Sequence, residues 1–263
     1  MLDLTRTIEH VVGAIDAAVE QREPFHYLHF SGIFPADVYS AMLASMPALE
    51  DYGAMSGRAS LARTPNGDSA RTKIDLFPEC MIRLPEEKTS IWTRVGQALR
   101  SRQVQEAFVR RLAPSLERRF GSRYGSVRLY PIPTLLRDVP GYRIGVHSDT
   151  HWKGMTVQIY LPRDTSIAHV GTVFHRRNPD ASYGEAARMP FSPNTGYAFT
   201  VASDTYHSVD RLGPEVRTRD SILLNYFVDE TFLQVAKNRC KRLGHVMRGL
   251  GWQRIQPARE PAF

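Results

Sequence analysis

At 263 residues, with 42% hydrophobic and 23% charged side chains, the chain spans one to two domains at roughly 150 residues each, and its apolar content excludes disorder. No run approaches the roughly 20 apolar residues of a membrane span, and Asp3, Arg6 and Glu9 stand where a signal peptide would be apolar, so a cytoplasmic protein is expected. Cys80 and Cys240 are too few and too far apart for a disulfide framework or a thiolate zinc site, while 34 basic against 27 acidic residues (net +7) admit nucleic acid, an anionic small molecule or an acidic surface as partner.

The first 120 residues read mainly as helix. Leu4, Ile8, Val11, Val12, Ile15 and Val19 share one stripe of a 3.6-residue repeat, which predicts a helix over 4–20. A strand-like run follows from His26 to Phe30, and Pro35 then opens a second helix that Pro47 stops. Residues 51–76 show no period and carry a Pro-Asn-Gly turn signal, so they read as a long loop. Ile91, Trp92, Val95 and Leu99 predict another helix, and Val104, Phe108, Leu112, Leu116 and Phe120 one more. The arginines Arg110, Arg111, Arg118, Arg119 and Arg123 read as a solvated face of it.

Near residue 126 the period changes to 2. Strands are expected at Val127–Tyr130, Arg143–His147, Met155–Leu161, Val170–His175, Tyr197–Ala202 and Ser221–Val228, with a loop over 176–194 and a last helix at about 230–243. Short strands without intervening helices point to a sandwich, barrel or jelly roll of mainly β, α+β class. The organisation expected is a helical region over 1–125, a β core over 126–230, and a helix and tail over 231–263, the first packed on the second.

The chemistry concentrates in the β part. In Gly141-Tyr142-Arg143-Ile144-Gly145-Val146-His147-Ser148-Asp149, side-chain alternation lets His147 and Asp149 face one point. His207, 58 residues after Asp149, offers one more imidazole. Two imidazoles and a carboxylate on one face leave open positions on an octahedral ion, the facial arrangement of non-haem Fe(II) oxygenases. Twelve residues past His207, Arg219 and Ser221 share a strand face and could clamp a carboxylate, for which the planar guanidinium fork is suited.

These segments together resemble the Fe(II)/2-oxoglutarate-dependent dioxygenases, in particular the branch containing prolyl hydroxylases. Leu135 to Asp149 is similar to that family's run into its H-x-D, and Gln158-Ile159-Tyr160-Leu161-Pro162 to its central strand. Val170-Gly171-Thr172-Val173-Phe174 resembles its glycine turn and Arg219-Asp220-Ser221 its R-x-S. The resemblance covers residues 130 to 228. It implies a double-stranded β-helix (a cupin-like jelly roll), Fe(II) held by His147, Asp149 and His207, and O2 as oxidant. It also implies 2-oxoglutarate bound through Arg219 with help from Ser221 and Tyr160. The chain departs from the family where Asp138 stands at a place often aromatic, and where Asn225 replaces a frequent Trp.

The activity so implied is hydroxylation of a small or anionic substrate with release of succinate and CO2. Trp152 and Lys153, just after the metal residues, and Arg71 in the 51–76 loop are candidate substrate contacts, with Arg58, Arg63, Lys73, Arg176 and Arg177 as further cations at the mouth. Nucleic acid is the lesser alternative, because Arg217 to Asn225 does not spell the strand that nucleic-acid demethylases of the superfamily carry. A non-catalytic jelly-roll binding protein is the other. The oligomeric state is not legible.

Overall fold

The computed structural model of the chain describes residues 2–55, 62–64, 66–82 and 84–228. Its helices are α1 (Leu4–Asp16), α2 (Ala36–Ala44), α3 (Glu86–Leu99), α4 (Arg102–Arg111) and α5 (Ala113–Phe120). Its strands are β1 (Val19–Gln21), β2 (Tyr27–Ser31), β3 (Gly53–Ala54), β4 (Arg71–Asp75), β5 (Leu129–Asp138), β6 (Ile144–His147), β7 (Lys153–Tyr160), β8 (Thr172–Arg177), β9 (Tyr183–Met189), β10 (Thr195–Thr200), β11 (Tyr206–Val209) and β12 (Arg219–Val228). They form an eight-stranded sheet in the order β1-β2-β10-β7-β12-β5-β4-β3 and a four-stranded sheet in the order β6-β11-β8-β9. Every strand pair is antiparallel. This is the jelly roll that the sequence pattern and the resemblance imply. No helix of the described residues is long and apolar enough to cross a membrane.

The larger sheet has two working faces because side chains alternate along each strand. Met155, Val157 and Ile159 of β7 and Ile222, Leu224 and Tyr226 of β12 point to one side, where they pack with Val11, Ile15, Trp92, Leu99, Phe108 and Leu116 of the helices. The intervening residues, Thr156, Gln158 and Tyr160 on β7 and Arg219, Ser221 and Leu223 on β12, lie on the other face, toward the smaller sheet. An aromatic cluster of Phe25, Tyr27, Phe174, Tyr197 and Phe199 fills the space between the sheets. Gly171, at the entry to β8, has no room for a side chain: a Cβ there would lie 1.6 Å from the Met189 carbonyl oxygen.

Several elements differ from the expectation for identifiable reasons. α1 ends at Asp16, and Val19 instead opens β1, where it pairs with His29 of β2; Val19 is mostly exposed, so the last stripe position is not a core position. The single helix expected over 104–120 is two, broken at Leu112, because Pro114 lacks an amide hydrogen and its ring crowds the carbonyl four residues back. Its arginines are clamps between elements more than a solvated face. Arg110 pairs with Asp16, Arg111 donates to the Asp16 and Ala18 carbonyls, and Arg118 pairs with Asp204.

The segment 51–76, expected as loop, contains β3 and β4, and the 176–194 loop contains β9. In β4 only Arg71 and Ile74 are buried, and β9 reads Tyr-Gly-Glu-Ala-Ala-Arg-Met with only Met189 buried, so neither shows an apolar alternation. β5 continues to Asp138 despite Pro131 and Pro133. The Pro133 carbonyl accepts from Leu76 just past the end of β4, so both proline nitrogens face the β4 side and the ladder to β12 keeps its donors. The expected helix at 230–243, Cys240, the basic residues Lys237, Arg239, Lys241, Arg242 and Arg248, and Arg58 lie outside the described residues.

Candidate active site

Pairing of β6 with β11 sets His147 directly opposite His207, with ring centroids 4.3 Å apart. Asp149 follows on the turn leaving β6, and donor atoms of His147, Asp149 and His207 lie within 4.8 Å of one another. Each imidazole is oriented by its own strand: His147 Nδ1 lies 2.9 Å from the Gly145 carbonyl and His207 Nδ1 3.1 Å from the Thr205 carbonyl. A carbonyl oxygen only accepts, so both rings carry their proton on Nδ1 and present Nε2 as a lone-pair donor. Asp149 is fixed from both sides, with Lys153 Nζ donating to Oδ1 and Thr156 Oγ1 to Oδ2, each at 2.7 Å. Arg119 of α5 anchors the segment behind it by donating to the carbonyls of His151, Lys153 and Val201.

Electrostatics favour the metal-ready protonation state. Burial pushes the His207 pKa down to about 4, against a partial offset from Asp149, so the ring is neutral near pH 7. Burial alone would raise the Asp149 carboxyl, but Lys153, His207 and the two hydrogen bonds outweigh it and hold it well below the usual carboxylate range. A set of two imidazoles and one carboxylate on one face, oriented by partners outside the set, is suited to Fe(II).

The three residues open on a cavity of about 790 Å³ that also exposes Arg71, Tyr142, Gln158, Thr172, Tyr197 and Arg219. Its floor is rich in hydrogen-bond donors. Tyr160, Tyr197 and Arg219 Nη2 all direct donors at Thr172 Oγ1, at 3.0, 3.0 and 3.3 Å. One hydroxyl oxygen has two lone pairs, so these donors exceed what it can accept. Burial raises the pKa of Tyr142 and Tyr197, which keeps both phenols protonated. The Tyr142 hydroxyl and Gln158 Nε2 are buried and have no protein partner, as is Ser221 Oγ. Behind the floor, fully buried Asp138 takes Arg71 Nε at 2.5 Å, Arg71 Nη2 at 2.7 Å and Arg219 Nη1 at 2.9 Å. Such a floor can accept a carboxylate, and His147, Asp149 and His207 stand in the same cavity.

The candidates named from sequence fall into three groups. His147, Asp149, His207, Arg219 and Arg71 meet at the cavity. Tyr160 and Ser221 are fully buried beside it without lining it, the Tyr160 hydroxyl also accepting from the Thr172 amide. Lys153 lines the cavity but is bound to Asp149, and Trp152 is exposed with its ring edge-on to His151. Of the cations assigned to the mouth, Arg176 pairs with Glu23 and Lys73 with Asp75. The residues that sequence reasoning missed are Tyr142, Thr156, Gln158, Thr172 and Tyr197. A signal for two of them existed: Thr156, Gln158 and Tyr160 alternate with Met155, Val157 and Ile159, which marks a polar inner face on a buried strand.

No protein-family model and no curated protein matches the sequence. Solved structures do match the fold. A Pseudomonas putida prolyl-4-hydroxylase superposes with a TM-score of 0.51 at 12% identity, over 83% of this chain and 98% of that one. A Trichoplax adhaerens prolyl hydroxylase, solved with a peptide fragment of the hypoxia inducible factor oxygen degradation domain, gives 0.55 at 12% identity, over 85% and 91%. A Burkholderia pseudomallei oxidoreductase of the 2OG-Fe(II) oxygenase family gives 0.50 at 14% identity, over 82% and 90%. At these identities the likeness establishes the fold.

Proposed function

We propose that the chain is an Fe(II)- and 2-oxoglutarate-dependent oxygenase that hydroxylates its substrate. The observation that carries this reading is the presence, in one cavity, of the His147, Asp149 and His207 set and a donor-rich floor built around Arg219. A binding module would need neither the open metal face nor the carboxylate receptor beneath it. In this reading His147, Asp149 and His207 hold the metal, and the Gly145 and Thr205 carbonyls keep the two rings from rotating. Arg219, itself fixed by the Val170 carbonyl at 2.8 Å, receives the distal carboxylate of 2-oxoglutarate. When bound, the metal and the keto acid supply the activation of O2, with the keto acid leaving as succinate and CO2.

The protein's share is placement. Substrate enters a cavity whose lining includes the apolar side chains of Met55, Ile144, Val146 and Val209. Lys153, the cation beside the His147, Asp149 and His207 set, is engaged by Asp149, so these apolar side chains support recognition of a small molecule through an apolar face. The anaerobic protein with Fe(II) and 2-oxoglutarate should show a weak visible charge-transfer band, lost in His207→Ala, and candidate substrates should stimulate succinate release. Absence of the band in wild type, with no binding of 2-oxoglutarate, would overturn the proposal.

A further inference from the structure

The floor of the cavity contains more charge than one carboxylate receptor needs. In the pairing of β4 with β5 and of β5 with β12, Arg71 and Arg219 both stand opposite Asp138. The three side chains form one cross-strand row, with the carboxylate between two guanidinium groups. Both arginines line the cavity and Asp138 does not. The cavity therefore meets the outer N–H groups of two cations whose shared counter-ion lies behind them.

Resting on the co-substrate reading above, we infer that Arg71 is a binding residue for the distal carboxylate of 2-oxoglutarate and supplies the charge that makes this floor a receptor. Asp138 already accepts from Arg219 at 2.9 Å, so the two of them alone form a neutral pair with no net attraction for an anion. Arg71 changes the sum from zero to one positive charge, the complement of a single carboxylate. It engages Asp138 through Nε and Nη2, which leaves both hydrogens of Nη1 and one of Nη2 for a ligand. Its guanidinium is held face-on to the Tyr142 ring at 4.0 Å, next to the Tyr142 hydroxyl that has no protein partner. Burial opposes the charge on Arg71, but Asp138 more than offsets it and the group stays cationic. Arg71 belongs to β4, so the receptor is assembled across a strand that precedes the β core expected from the sequence.

The test is calorimetric titration of Mn(II)-loaded protein with 2-oxoglutarate, and with 2-oxobutyrate, which keeps the chelating end and lacks the distal carboxylate. Arg71→Gln should weaken 2-oxoglutarate roughly 30-fold or more while leaving 2-oxobutyrate within roughly 3-fold, so that discrimination between them collapses. Asp138→Asn, which leaves two cations facing the ligand, should bind 2-oxoglutarate at least as tightly as wild type. The double variant R71Q/D138N returns the floor to one positive charge on Arg219 and should recover wild-type affinity to within roughly 5-fold. A purely structural Arg71 predicts otherwise: unchanged discrimination in Arg71→Gln, or weaker binding in Asp138→Asn, overturns the inference. If Arg71→Gln fails to fold, Asp138→Asn and the double variant decide it by the same criteria. Wild-type protein that binds no 2-oxoglutarate would instead refute the co-substrate reading itself.

Discussion

Replacing Thr156 by Val removes one hydroxyl and little volume from the second layer of the metal set. Thr156 is buried on the inner face of β7, between Phe199 of β10 and Asn225 of β12, and its Oγ1 donates to Asp149 Oδ2 at 2.7 Å. A hydrogen bond to a charged acceptor contributes about 1.5–3 kcal/mol, and lost partners of ligating carboxylates commonly cost about 10–100-fold in metal affinity. Lys153 still holds Oδ1, so the lower half of that range applies, and roughly 2 kcal/mol or 30-fold is expected. Mn(II) titration followed by electron paramagnetic resonance reads the dissociation constant directly, and Thr156→Ser, which restores the hydroxyl, should recover most of the loss. Thr156→Val binding Mn(II) within roughly 3-fold of wild type would show that Asp149 needs no such anchor and that its orientation comes from Lys153 alone.

Three further perturbations test other parts of the molecule. Gly196→Ala would put a Cβ 2.1 Å from the Gln158 carbonyl oxygen and 2.6 Å from Phe30 Cε2, and the carbonyl belongs to a central strand. A loss of roughly 3 kcal/mol or more is expected in urea unfolding, and an unchanged midpoint would refute the close packing of β10 on β7. Arg119→Met keeps the apolar stem and removes the donors to His151, Lys153 and Val201, so amide hydrogen exchange at 150–154 should accelerate; equal rates would remove the anchoring role. His207 titrates at about 4 when folded against 6.5 when free, a depressed value, so its contribution is present above pH 6.5 and is lost as pH falls toward 4. The metal-free protein should lose on the order of 3 kcal/mol over that window from this group, and His207→Gln should flatten the acid limb relative to wild type. Parallel limbs for the two proteins would rule that assignment out.

The candidate metal set was legible because its residues interrupt strong local patterns. His147 and Asp149 end an apolar strand, and Arg219 and Ser221 are polar residues at alternate positions of a strand otherwise rich in Ile, Leu, Tyr and Phe. The same alternation on β7 makes Thr156 and Gln158 recoverable in principle. β4 was illegible for the opposite reason. Its buried positions are Arg71 and Ile74, three apart and not alternating, and the charge of Arg71 is met by Asp138, a partner 67 residues away that no window of sequence contains. Asp138 stood out as a departure from the family pattern, but its place between two arginines depends on register across three strands. The helix break at Leu112 lay in the chain at Pro114, where four-residue apolar spacing masked it.

The sharing of the central strands between two layers bears on how the molecule unfolds. Stripping away α1 and α3–α5 would bare Met155, Val157, Ile159, Ile222, Leu224 and Tyr226 at once. At roughly 2 kcal/mol for each side chain, that exposure costs on the order of 10 kcal/mol, comparable with the whole stability of an ordinary domain. The helical layer and the strands that carry Thr156 and Arg219 should therefore protect their amides together and lose them together. A shortened chain beginning at β5 would surrender β4 as well, leaving the Arg219–Asp138 pair without its second cation. The smallest unit able to hold both the sheet and the Arg71–Asp138–Arg219 row reaches back through the amino-terminal helices.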